Sequence, residues 1–355
     1  MEVSNDLRTF VLRMKLSSNP KIIISRTDNI GDVVLTLPLA QALKDKYPEA
    51  EILFLGKKYI KPLIDCCNNI DQFVDWDTLS AMPEDKSTFF LKNIGAEVII
   101  HVFPRPEIAR MAYKAEINYR IGTSHRFYNW LYCNKRVDFT RKNSPLHEAQ
   151  LNFKLVEPLG ITTIPSLVEL GNRYGLMKIP LLNEEWKKLI DPNKFNLIIH
   201  PLSRGSARNW DWKNYNKLIE ILPQDKFKIF ITGTESESAP ITENILLYHP
   251  EVTDLTGKLD FTQLIAFITN ANGLVAASTG PLHIAAALGK KVVGLYPSIR
   301  PMHPGRWAPL GPNAKCLALS KDCVDCKNGS HCTCINSITA EQVKGLLQVD
   351  KSLTF

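Results

Sequence analysis

Strand-like and helix-like stretches alternate along both halves of this chain, and that rhythm limits the fold more than any single residue does. Apolar, β-branched runs stand at 22–25, 51–55, 73–76, 98–102 and 119–121, and again at 197–200, 228–232, 274–277 and 292–296. Helix-like stretches separate them, among them 213–222, 239–248, 261–270 and 281–288. Near-continuous apolar strands joined by helices imply parallel sheets covered on both faces. A length of 355 residues is long for one doubly wound sheet and comfortable for two domains. The stretch 160–191 mixes proline, glycine and short apolar pieces and reads as the link between them. The expected class is therefore α/β, with two Rossmann-like domains. The expected boundaries are an extension at 1–20, a first domain at 21–175 and a second at 176–338 that ends in a cysteine-rich tail.

Open α/β sheets place their chemistry at the carboxyl ends of strands. Two turns occupy such positions. Arg26-Thr27-Asp28-Asn29-Ile30-Gly31-Asp32 follows the buried-strand pattern Lys21-Ile22-Ile23-Ile24-Ser25 and opens a helix. Gly31 permits a tight turn or the close approach of a ligand. Asp32 sits at the helix mouth, where a carboxylate caps the helix or acts as a base. Ser278-Thr279-Gly280-Pro281-Leu282-His283 lies between the strand pattern at 273–277 and another helix. Proline suits the first helical turn, since it loses no needed hydrogen bond there. Free backbone N–H groups with the Ser278 and Thr279 hydroxyls form either a phosphate cradle or an ordinary cap.

Asn29-Ile30-Gly31-Asp32 with Leu35-Thr36-Leu37-Pro38, and Ser278-Thr279-Gly280-Pro281-Leu282-His283-Ile284-Ala285-Ala286-Ala287-Leu288-Gly289, resemble glycosyltransferase family 9. That family contains the ADP-heptose:lipopolysaccharide heptosyltransferases, and the likeness runs from about Lys21 to about Leu347. It implies a GT-B type glycosyltransferase fold, two Rossmann-like domains facing across a cleft, with a tail helix at 339–348 packing back on the first, acceptor-side domain. It implies an inverting, metal-independent transfer of heptose from ADP-heptose to a lipopolysaccharide core or related envelope glycan. On this resemblance Asp32 is the general base. Arg208 stands where the family carries a basic residue, usually lysine, against the diphosphate, and arginine serves there with forked geometry. Arg204 is a second candidate in the same loop. Ser203 matches a hydroxyl position facing the phosphates, and Thr279, Gly280, Pro281 and His283 match the phosphate turn. Glu237 matches a glutamate beside the nucleoside, although a solvated carboxylate at a helix N-terminus is the plainer reading. Ser278 departs from the pattern: the family usually has an aspartate there, against the sugar hydroxyls. The donor sugar is therefore the open point. The alternatives are the same fold using a different sugar nucleotide and a catalytically silent glycan- or nucleotide-binding relative.

A net charge of +7 suits an anionic partner, such as a phosphorylated glycolipid or the inner membrane face. No dense Lys/Arg run supports nucleic acid. Arg105, Lys57 and Lys58, in loops of the first domain, are the candidate acceptor contacts. Asp75-Trp76-Asp77 spells a metal-binding triplet but falls in the acceptor-side half. Basic donors replace a metal at the leaving group, so neither a metal nor a cofactor is expected. Cys323-x-x-Cys326 followed by Cys332-x-Cys334 has zinc-ligand chemistry, but the second pair is tighter than a usual knuckle, and reduced packing thiols or an occasional disulfide are the preferred reading. No run approaches the roughly 20 apolar residues of a membrane span, and the N-terminus lacks a signal-peptide pattern. The expected place is cytoplasmic, with peripheral contact at the membrane. Leu7, Phe10, Val11 and Met14 share a helical face, read as a helix packing on the body or a frayed extension in preference to a membrane-surface helix.

Overall fold

The computed structural model describes residues 14–142, 144–203, 205, 207–299, 302–319 and 333–347. Among these, the strands form two sheets. The first holds β1 (Lys21–Ser25), β2 (Glu51–Gly56), β3 (Gln72–Asp75), β4 (Val98–His101), β5 (Tyr119–Thr123) and β6 (Lys135–Val137), in the order β3-β2-β1-β4-β5-β6. The second holds β7 (Phe195–His200), β8 (Phe227–Ile231), β9 (Thr253–Asp254), β10 (Gly273–Ala277), β11 (Lys291–Leu295) and β12 (Ala314–Leu317), in the order β12-β11-β10-β7-β8-β9. All the pairings are parallel. Counted from β7, the second sheet repeats the order of the first, so the two halves are the same Rossmann-type arrangement.

The central strands are the easiest to read because helices cover both of their faces. Ile22, Ile23 and Ile24 are fully buried, as are Leu274, Val275 and Ala276. Strands β6, β9 and β12 carry no clear sequence signal. They are short edge strands, half-buried or mixed in pattern, so neither alternation nor a long apolar run marks them.

The chain leaves the first domain late. Leu176 bridges to Cys67, and Met177 and Lys178 donate to Cys66 O. The second domain holds it from Leu181, whose carbonyl accepts from Gln263 Nε2. At the amino end Met14 and Leu16 pack on the first domain, and Ser17 bonds Glu97. Residues 1–13 lie outside the described residues.

The tail helix corrects an expectation. Ala340–Leu347 packs on the second domain, not the first. Its buried Ala340, Val343 and Leu347 join Tyr215, Leu218 and Ile219 of the helix Trp212–Ile221. Lys344 Nζ donates to the last carbonyl of that helix, Ile221 O, at 2.8 Å, where a cation offsets the helix dipole. Trp210 Nε1 donates to Ile338 O at 2.9 Å just before it.

Candidate active site

The two singled-out turns lie at the ends of β1 and β10. In each sheet this is where the strand order reverses and a crevice opens. The crevices face each other and form one cleft of about 840 Å³, lined by Asp28, Asp32, Ser278, Thr279, Gly280 and His283 among others. Both glycines serve this meeting of domains. A Cβ on Gly31 would lie 2.8 Å from His283 Cδ2, and one on Gly280 would lie 2.7 Å from Ile30 Cβ. Gly31 thus admits the other domain's histidine, where the sequence suggested a tight turn or a ligand.

Beneath the cleft lies a buried ionic network. Arg26 follows β1 and is 2% exposed. Its Nε and Nη2 hold Asp28 at 2.9 and 3.0 Å, and its Nη2 also reaches Asp32 Oδ1 at 2.5 Å. Its Nη1 donates to Glu148 Oε1 and Asn152 Oδ1, each at 3.1 Å. Glu148 and Asn152 lie one turn apart on the helix Glu148–Lys154 and so face the same way. Arg141 Nε donates to Glu148 Oε1 at 2.9 Å. Arg306, from the second domain's short helix Pro304–Trp307, donates to Glu148 Oε2 at 3.1 Å and to Arg141 O at 3.3 Å. His147 Nε2 adds a second tie across the domains, to Ala308 O at 2.9 Å.

The network splits its carboxylates. Burial alone would raise Glu148, but Arg26, Arg141 and Arg306 hold it down at about 2. Burial pushes Asp32 up to about 7 against the pull of Arg26, with Asp28 and Glu148 adding to the rise. Asp32 is thus a carboxyl in the cleft that exchanges a proton near neutrality, as a general base requires. The capping reading of Asp32 does not hold, because its carboxylate is turned to Arg26 and the helix Ile30–Val34 has no side-chain cap bond.

The opposite wall is made by the helix Gly280–Ala287. Its N-cap residue Thr279 makes no side-chain cap bond. Thr279 Oγ1 and His283 Nδ1 are buried without a hydrogen-bond partner among the described residues. Burial pushes His283 down to about 3, with His147 adding to the shift, so the ring is neutral at pH 7. Buried polar atoms are normally paired, so these are poised for a polar group entering the cleft. The uncapped N-terminus favours an anion there. Pro281 is buried behind the wall, and the Ser278 hydroxyl bonds Tyr296.

The remaining candidates divide. Ala207 lines the cleft, and beside it Arg208 is half-buried, with a buried Nε that has no partner among the described residues. Ser203 braces the same loop, with its Oγ donating to Ala207 O at 2.8 Å. Arg204 lies outside the described residues. Glu237 closes a capping box, accepting from Thr234 N at 2.7 Å, and does not line the cleft. Arg105 donates to Thr27 Oγ1 at 2.6 Å and lies over the ring of the cleft-lining Phe103, without lining the cleft itself. Lys57 and Lys58 are not brought to the cleft; they start a 3₁₀ turn after β2, and Lys58 N donates to Asp77 Oδ2. His125, Arg126, Arg141 and Lys142 supply the basic lining instead. Asp75 caps the helix Trp76–Ala81, so both carboxylates of the Asp-x-Asp triplet serve local structure. Cys323, Cys326 and Cys332 lie outside the described residues, while Cys334 is buried and its Sγ accepts from Ser298 N.

Arg26, Arg141, Glu148, Asn152 and Arg306 carry no sequence expectation. The available signal was Glu148 and Asn152 four apart just after His147, but polar pairs at that spacing usually sit on a solvated face.

Two parallel Rossmann-like domains that meet across a polar cleft, with a carboxyl on one wall and an open helix N-terminus on the other, have the architecture of GT-B type glycosyltransferases. The chain belongs to glycosyltransferase family 9 (heptosyltransferase), whose model matches residues 112–334. A Haemophilus influenzae protein named no more specifically than as a glycosyltransferase is 27% identical, over 84% of this chain and 88% of its own. The lipopolysaccharide core heptosyltransferase OpsX of the same organism is 25% identical, over 79% of each chain. The structure of Escherichia coli ADP-heptose lps heptosyltransferase II superposes with a TM-score of 0.72 at 17% identity, covering 92% of this chain and 97% of that one.

Proposed function

We propose that this enzyme transfers heptose from ADP-heptose to a lipopolysaccharide-core or related envelope glycan acceptor, with inversion and without a metal. The family, the OpsX relative and the ADP-heptose enzyme of like fold support the donor and the acceptor class. The observation that carries the chemistry is Asp32 on one wall of the cleft and the open Thr279–Gly280 helix start on the other.

Asp32 takes the proton of an acceptor hydroxyl as that oxygen attacks the anomeric carbon. The bond from that carbon to the diphosphate breaks on the opposite face, which inverts the centre. The leaving diphosphate gains charge where backbone N–H groups, Thr279 Oγ1 and Arg208 are available as donors. Asp28 is held by two bonds from Arg26 and is poorly placed to be a nucleophile, which favours a single displacement. Arg126, Arg141 and Lys142 give the acceptor side its positive lining. In this reading Ser203 braces the Arg208 loop, and Glu237 acts through its turn. The work is done on the cytoplasmic side, where sugar nucleotides are made; no helix among the described residues is long and apolar enough to cross a membrane.

Chelation tests the metal-free step. Transfer measured in EDTA is expected to match transfer without it. Loss of activity that magnesium or manganese restores would overturn that part.

Ser278 favours a second reading on one point, the sugar. A hydroxyl engaged with Tyr296 replaces the carboxylate of the family pattern, and a serine carries no charge toward the sugar. The test compares donor KM for ADP-heptose with UDP-, GDP- and other ADP-sugars, in wild type and Ser278→Asp. Wild type is expected to use ADP-heptose, and Ser278→Asp to keep or lower its KM. No turnover of ADP-heptose by either protein, beside a clear rate with another sugar nucleotide, sinks the heptose assignment.

A further inference from the structure

The short helix Phe127–Tyr132 is inside out. Its fully buried residue is Asn129, whose Nδ2 donates to Thr123 O at 2.8 Å. Its apolar residues face solvent instead: Phe127 is 81% exposed, Trp130 59% and Leu131 58%. Tyr113, half exposed on the helix Pro106–Lys114, extends the patch, with its ring 5.8 Å from that of Tyr132. Single exposed apolar residues are ordinary, but three large ones on one six-residue helix form a patch of the kind that marks an interaction site. The patch is also fixed. Trp130 Nε1 donates to Ser124 O at 2.8 Å, and the Arg136 guanidinium lies 4.5 Å from the indole.

Charge and position indicate the occupant. Arg126 precedes the helix, Arg136 stacks on it, and Lys142 lies nearby along the cleft; all three are exposed and in no ion pair among the described residues. Of the nearby carboxylates, Asp138 is engaged with His125, and Glu107, which acts on Tyr128, is outweighed by Arg126, Arg136 and Lys142. Arg126 and Lys142 also line the cleft, so the aromatic patch continues its acceptor-side mouth. Aromatic side chains with polar edges, ringed by unpaired cations, match the interface of an anionic bilayer, where rings sit at headgroup depth and cations meet lipid phosphates.

We propose that the Phe127–Tyr132 helix docks this enzyme on an anionic phospholipid surface. Phe127, Trp130 and Leu131 enter the headgroup layer, and Arg126, Arg136 and Lys142 contact phosphates. The proposal rests on the glycolipid-acceptor reading for one point, the direction in which the cleft opens. A bilayer held at this rim presents a lipid-anchored sugar to Asp32 without the lipid leaving the membrane.

The test is flotation of the full chain with phosphatidylcholine vesicles, with and without phosphatidylglycerol. Binding is expected to the anionic vesicles, to weaken as salt rises, and to fall about tenfold or more in Phe127→Ser/Leu131→Ser. Both substituted residues are exposed and outside the cleft lining, so the variant's Tm and its rate on a soluble, delipidated acceptor are expected to match wild type. Absence of wild-type binding to anionic vesicles overturns the proposal, and so does equal binding by the variant. A wild-type dimer in sedimentation that the variant dissociates, without vesicle binding, also overturns it and gives the patch to a second copy. The vesicle assay contains neither donor nor acceptor, so a failed donor assignment leaves its result standing.

Discussion

Asp32→Asn lowers kcat by about 10²–10⁴-fold, the range for loss of a positioned general base, while affinity for the nucleotide diphosphate stays within a few-fold. The amide keeps the shape and removes the proton acceptor. Arg26 retains Asp28 and Glu148 as partners, so the frame survives. The pH dependence gives a sharper readout. Burial raises the Asp32 carboxyl to about 7, so its reactive, ionised fraction grows as pH rises through that value. Wild-type kcat therefore climbs from pH 6 to pH 8 and levels above, and the residual rate of the asparagine variant does not follow that rise. A variant with near-normal kcat, or one that keeps the wild-type profile, would move the base to another residue.

Glu148→Gln is the largest expected stability loss. One carboxylate, 1% exposed, answers Arg26, Arg141 and Arg306. Removing its charge leaves three guanidiniums packed together, and breaking a buried ion pair from one side costs about 3–5 kcal/mol. For domains of this size that corresponds to a fall in Tm of about 10 °C. The acid limb gives the sign. Glu148 is held at about 2, below its ordinary 4.5, so its stabilisation is complete above pH 4.5 and is lost as pH falls toward 2. The stability gap between wild type and variant should be widest at neutral pH and close through that window. Activity should also drop, by about 10- to 100-fold, because Arg26 no longer fixes Asp32 to within the tolerance of the reaction. An unchanged Tm at pH 7, measured by calorimetry, would remove Glu148 from the role of keystone.

The donor-side wall was largely legible, because a strand, a glycine-proline turn and a helix are encoded within a dozen neighbouring residues. Thr279, Gly280 and His283 line the cleft as their positions in that turn suggest. The acceptor side was poorly legible. Lys57 and Lys58 follow β2 and do not line the cleft, whereas Arg126 reaches it from the turn after β5 and Arg141 and Lys142 from the segment after β6, none with a local pattern of its own. Edge strands and the loops beside them lack the periodicity that makes a central strand readable.

The sequence by itself determined that there are two parallel sheets and which turns open into a cleft. Strand-helix alternation and strand-end chemistry are local properties, written in adjacent residues. Tertiary structure alone decided what those turns meet. Arg26 finds Glu148 across 122 positions of chain, and Arg306 finds it across 158. Gly31 takes His283 of the other domain, and the tail helix settles on the second domain because Ala340, Val343 and Leu347 fit the stripe of Tyr215, Leu218 and Ile219. A charged residue looks the same in sequence whether it faces water or three buried arginines. Only the packing of distant elements removes the water, and with it comes the split that leaves Glu148 ionised and Asp32 ready to accept a proton near pH 7.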